Sequence, residues 1–130
     1  MILLDTHVVL WLISDPAQLS KAARDAISQA RQNGEALAIS GMTLLELATL
    51  STKGRIGVTG GLELALHDIE NRFTVLPITA RACACIPGLP ASYPKDPADR
   101  IIGATALTAG MVLVTADREI RRSRALRTIW

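Results

Sequence analysis

The sequence predicts an α/β fold, a three-layer α/β/α sandwich built on a central parallel sheet, and three observations carry that prediction. Short runs such as ILL at 2–4, ALAIS at 36–40, FTVLPI at 73–78 and MVLVT at 111–115 are apolar at successive positions, the pattern of strands buried on both faces. Helix-forming segments separate these runs all along the chain, the alternation expected of βαβ units. The composition is 49% hydrophobic but only 3% aromatic, so aliphatic side chains must fill the core, as helices packed on a parallel sheet allow. The 130 residues suit one domain spanning 1–130, long enough to bury roughly two-thirds of its unfolded surface. No repeat, linker or low-complexity segment interrupts it.

Residues 1–4 form the first strand, and so apolar an opening strand belongs at the centre of a sheet. Thr6 to Ile13 reads as a helix that Thr6 is placed to cap, broken at Asp15-Pro16. Ser20 opens a second, amphipathic helix, SKAARDAISQARQ, which ends at Asn33-Gly34. After the strand at 36–40, Gly41 turns the chain and MTLLELATLS forms a helix closed by Lys53-Gly54. A Gly-rich loop covers 55–61, a helix 62–71, a strand 73–78 and a short helix 79–86. Pro87, Pro90, Pro94 and Pro97 make 87–97 a stiff surface loop. A helix at 99–109, a strand at 111–115, a helical turn at 119–122 and an edge strand at 126–130 complete the chain.

The net charge is +2, too small to imply nucleic acid by itself, but it is unevenly spread. Residues 91–130 hold seven basic and four acidic residues, whereas 1–90 hold seven and eight. A basic end next to acids suits a polyanion handled through metal ions, although five arginines between 118 and 127 also fit a solvated helix face. Cys83 and Cys85 are too poorly placed for a disulfide and have no zinc-type partners, so they read as reduced core filler. The apolar N-terminus lacks a basic leader and a cleavage site, is interrupted by Asp5 and His7, and is too short to span a bilayer. A cytoplasmic protein without membrane attachment is expected.

The acids are placed with more purpose than the net charge suggests. Asp5 follows the first strand and Asp117 the strand at 111–115, so both stand at carboxyl ends, where sheets of this class carry their sites. Asp96 precedes Pro97 and is the natural N-cap of the next helix, which leaves Asp99 in its first turn for chemistry. Glu46 has Met42 and Leu50 four residues to either side, a partly apolar stripe that is costly for a charge unless it is paired or metal-bound. Each acid alone has an ordinary explanation as a cap or a solvated side chain. Four or five on one rim would repel one another, and divalent cations relieve that repulsion. Oxygen ligands without His or Cys select Mg²⁺ or Mn²⁺.

Together, LLDTHVVLW at 3–11, Ser40 with Glu46, KGRI at 53–56, DPADRIIGATA at 96–106 and LVTAD at 113–117 resemble the PIN-domain ribonucleases, and within them the toxins of VapBC-type toxin–antitoxin pairs. The resemblance covers essentially the whole chain. It implies metal-dependent hydrolysis of RNA, with Asp5, Glu46, Asp99 and Asp117 as catalytic acids and Asp5, Asp99 and Asp117 as ligands of Mg²⁺ or Mn²⁺. Thr6, Ser40, Asp96, Arg100 and Thr115 are implied as their supports. Lys53, Arg55, Arg118 and Arg121 are expected on the RNA backbone. A cognate antitoxin is an implied partner, as is a homodimer, for which the apolar helices near 42–50 and 62–69 offer a surface. Leu45 and Pro94-Lys95 stand where relatives often have Trp and His. Dehalogenase-type phosphotransferases need D-x-D, where this chain has His7. Receiver domains need an early acidic pair and a late lysine, both missing. A catalytically silent PIN-like binding module is the remaining alternative.

Overall fold

A computed structural model of the chain describes residues 1–54 and 60–130. Arg55 and most of the expected Gly-rich loop lie outside the described residues. Five strands form one parallel sheet: β1 (Ile2–Leu4), β2 (Leu37–Ser40), β3 (Thr74–Leu76), β4 (Val112–Val114) and β5 (Thr128–Ile129). Their order across the sheet is β3-β2-β1-β4-β5, so the first strand does lie at the centre and β5 at an edge. The helices are α1 (Thr6–Ser14), α2 (Lys21–Gln32), α3 (Gly41–Thr52), α4 (Leu62–Arg72), α5 (Ala80–Cys85), α6 (Pro97–Ala109) and α7 (Arg118–Ser123).

The register decides which side chains face which layer. Leu4 is level with Ile39 and Val114, and these three point to one face, where Val8, Val9, Ala23, Ile27 and Leu47 from α1, α2 and α3 cover them. Leu3, level with Ala38 and Leu113, points to the other face, beneath Ile102 and Ala106 of α6 and Ile120 of α7. Alternation along three short strands thus builds two aliphatic cores, because both faces of β1, β2 and β4 are covered.

Three local expectations are corrected. Thr6 does not cap α1; Asp5 does, because the strand leaves Asp5 in an extended backbone conformation and Thr6 is already helical. Cys83 is exposed and Cys85 only half-buried, so neither fills the core, although both are free thiols. The proline-rich loop is anchored rather than superficial. Tyr93 is 3% exposed and packs with Ile102 and Ala106, and Pro94 is buried beside it. Gly103 on α6 makes room for that ring, since a Cβ there would collide with the Tyr93 hydroxyl. Among the described residues no helix is long and apolar enough to cross a membrane.

Candidate active site

The carboxyl ends of β1, β2 and β4 point to one rim, and helix starts fix the side chains that stand there. Asp5 ends β1 and caps α1, its Oδ1 accepting from the Thr6 N–H at 2.8 Å. Its other oxygen, Oδ2, accepts from the Thr115 hydroxyl at 2.6 Å. Thr115 follows β4, is fully buried, and its hydroxyl also accepts from the Asp117 N–H at 3.1 Å. One hydroxyl therefore sets both the Asp5 carboxylate and the turn that carries Asp117. Asp117 in turn caps α7 by accepting from the Ile120 N–H.

Glu46 sits about one and a half turns into α3. Its Oε1 accepts from the Thr6 hydroxyl at 2.6 Å, and the Thr43 hydroxyl lies 3.1 Å from the same Thr6 oxygen. Asp96 caps α6 through the Asp99 N–H, as its place before Pro97 predicts. Asp99 is half-buried in the first turn, and its carbonyl accepts from the Tyr93 hydroxyl at 2.6 Å.

These side chains line one cleft of about 380 Å³, bounded by Asp5, His7, Trp11, Glu46, Asp96, Asp99, Ala116 and Asp117. Three of these acids, Asp5, Glu46 and Asp99, are held above the usual carboxylate range. Burial and the charges of Asp5, Asp96, Asp117 and Glu46 push the Asp99 carboxyl up to about 7. Burial also raises Glu46, with Asp5 and Asp96 adding to the rise and the Thr6 hydrogen bond opposing it. Asp5 is raised mainly by burial, against the pull of its hydrogen bonds to Thr115 and Thr6. Such a cleft has a deficit of positive charge, and its donors are hard oxygens, which fits a divalent cation. Among the described residues no three of these carboxylates close on one point.

The profile of the PIN domain family matches residues 2–126. The chain belongs to the PIN-domain family. It is 38% identical over 131 residues to Ribonuclease VapC22 of Mycobacterium tuberculosis, a match covering 99% of this chain and 98% of that protein. The PIN fold is shared with VapBC-1 of nontypeable Haemophilus influenzae at a TM-score of 0.73 and 21% identity, covering 98% of this chain and 96% of that one. VapBC2 of Rickettsia felis, solved bound to a DNA fragment from its promoter, gives a TM-score of 0.72 at 20% identity, covering 98% and 97%.

Within this PIN domain, Asp5, Glu46, Asp96, Asp99 and Asp117 line one cleft, with Thr6 and Thr115 behind them. Other residues singled out from the sequence stand apart. Ser40 is buried at the end of β2 and caps α3 by accepting from the Met42 N–H. Arg100 is half-buried on α6 and does not line the cleft. Lys53 is exposed at the end of α3. Arg118 is exposed directly after Asp117, whereas Arg121 lines a second groove with Arg124 and Arg127. Sequence reasoning missed Thr43, Tyr93, His7 and Trp11. The spacing of His7 and Trp11, two and six residues after Asp5, was the available signal.

Proposed function

We propose that this chain is a metal-dependent ribonuclease toxin that hydrolyses RNA phosphodiester bonds and is neutralised by a cognate antitoxin. The observation that carries the reading is the meeting of Asp5, Glu46, Asp99 and Asp117, from four separate elements, in one cleft at the carboxyl ends of the strands. The near-full-length likeness to Ribonuclease VapC22 supports the ribonuclease part, and the VapBC neighbours support the antitoxin. The sheet running from Ile2 to Ile129 supports reading 1–130 as a single PIN domain.

Asp5, Asp99 and Asp117 would hold Mg²⁺ or Mn²⁺. Bound there, the cation supplies positive charge to the scissile phosphate and acidifies water. The chain's own residues do the rest. Thr115 fixes one oxygen of Asp5 and the turn bearing Asp117. Thr6 holds Glu46 by one oxygen, leaving the other to orient the attacking water. Asp96 fixes the start of α6, and with it Asp99. Arg118, directly after Asp117, together with Lys53, Arg121 and Arg55, the last outside the described residues, would meet the RNA backbone. Ser40 supports α3 through its cap rather than the acids. Leu45 on α3 and Leu64 on α4 are 59% and 63% exposed, which supports a homodimer through these helices. The protein would act in the cytoplasm, alongside its RNA and its antitoxin.

Sequencing RNA ends in cells expressing this chain, against an Asp5→Asn control, tests the reading. New ends confined to the unaltered chain are expected; identical profiles would reject it. Calorimetry with Mn²⁺ separates the alternative of a catalytically silent binding module, which has no need of the cation.

A further inference from the structure

We propose that His7 and Trp11, backed by Trp130, form a stacking platform for one nucleobase of the RNA beside the carboxylate cluster. The proposal rests on the nuclease reading above and adds where a base of the substrate lies.

His7 and Trp11 are four residues apart on α1, so they share one face of the helix. That face borders the cleft holding Asp5, Glu46, Asp99 and Asp117, and both residues line it. Their centroids are 5.8 Å apart with the planes tilted by 52°. Trp130, directly after edge strand β5, lies 5.7 Å from Trp11 at 45°. Both separations are within the range of aromatic contact. The sequence holds only two tryptophans, and both are spent on this arm. Trp11 and Trp130 also pack against the core, so their rings are held in place before any ligand arrives. His7 is exposed, and among the described residues it makes no ion pair.

A nucleotide suits this juxtaposition better than a peptide side chain. The acids call for a phosphate bridged by a cation, and a base lies one sugar away from its phosphate. An aromatic surface at the edge of the acidic cleft is where that base falls, and stacking needs no particular base. An aromatic content of 3% argues against a long stacking track; the arm accommodates one base.

Fluorescence tests this with a Trp130→Phe chain, in which Trp11 is the sole tryptophan, and with turnover suppressed by Glu46→Gln, which leaves the proposed metal ligands in place. Random-sequence RNA decamers in Mg²⁺ are expected to quench Trp11, whereas an abasic ribose-phosphate chain of equal length and charge leaves its emission unchanged. With Trp130 restored, Trp11→Ala should weaken binding of the decamers by roughly 5- to 100-fold, the range of a single base–aromatic stack, without changing affinity for the abasic chain. Trp11→Phe should recover most of the loss, and thermal melts of each variant report whether it folds. Equal quenching by the two chains, or none by the RNA, would overturn the platform. So would quenching by a co-expressed partner protein but not by RNA, which would assign the arm to that partner. If the unaltered chain cleaves RNA while the quenching comparison fails, only the platform is wrong. If it cleaves no RNA at all, the nuclease reading fails first.

Discussion

The Thr115 hydroxyl donates to Asp5 Oδ2 at 2.6 Å, joining two buried residues 110 positions apart in the chain. Because the same oxygen accepts from the Asp117 N–H, it ties two of the proposed metal ligands to one atom. Thr115→Val keeps the shape and removes both bonds, leaving a buried carboxylate short of a donor. A loss of about 1–3 kcal/mol in urea unfolding is expected. Mn²⁺ affinity should fall as well, and Thr115→Ser should restore most of both.

Thr6 makes a different prediction, because its hydroxyl holds Glu46 across the gap between α1 and α3. Thr6→Val frees Glu46 to swing away. We expect RNA cleavage to fall by roughly tenfold or more, with Mn²⁺ affinity little changed, since Glu46 is assigned to water rather than to the ion. Titration calorimetry beside a cleavage assay separates the two effects. A parallel loss of metal affinity would move Glu46 into the ligand set.

Tyr93 and Gly103 test how the start of α6 is held. A Cβ at Gly103 would lie against the Tyr93 hydroxyl and 2.7 Å from its Cζ, and both atoms are locked in the core. Gly103→Ala is expected to destabilise by about 1–3 kcal/mol through overpacking. In a Tyr93→Phe background the nearest atom is gone, so the added cost of Gly103→Ala should be smaller. Equal costs in the two backgrounds, measured as a double-mutant cycle, would show that the ring is not the obstacle.

Asp99 links stability to pH and to metal. Its folded carboxyl titrates at about 7, against an ordinary 3.8, so the folded state grips this proton more tightly than the unfolded chain does. Its contribution therefore favours folding at low pH and is lost as pH rises from roughly 4 to 7. In chelator, the melting temperature should be higher at about pH 6 than at about pH 8, as far as this group governs it. Added Mg²⁺ should raise the melting temperature more at the higher pH, where no proton competes for the carboxylate. Asp99→Asn should flatten both trends.

The sequence made the strands legible because each is an apolar run that stops at a polar residue, and Asp5 and Asp117 mark two of those stops. Asp96 was equally legible, since a residue before proline at a helix start has one obvious task. Thr6 was misjudged as a cap because its capping chemistry is generic, whereas its actual partner, Glu46, is 40 residues away and meets it only when α1 packs on α3. Tyr93 was hidden by the prolines around it, which signal a surface loop and give no hint that one ring turns inward. His7 and Trp11 were visible as residues but not as neighbours of the acids, because a helix face acquires meaning only once the rim it borders is known.

The central position of β1 has a consequence for how this protein comes into being. The ribosome releases Asp5 first, but β1 must wait for β4 before its second edge is paired, and Asp5 must wait for Thr115. At ordinary elongation rates that interval is roughly 5–20 s. Throughout it the nascent chain holds Asp5, then Glu46 and late on Asp99, but neither Thr115 nor Asp117. Products of interrupted translation that end before residue 112 are thus expected to bind no Mn²⁺ and to be harmless to the cell that makes them.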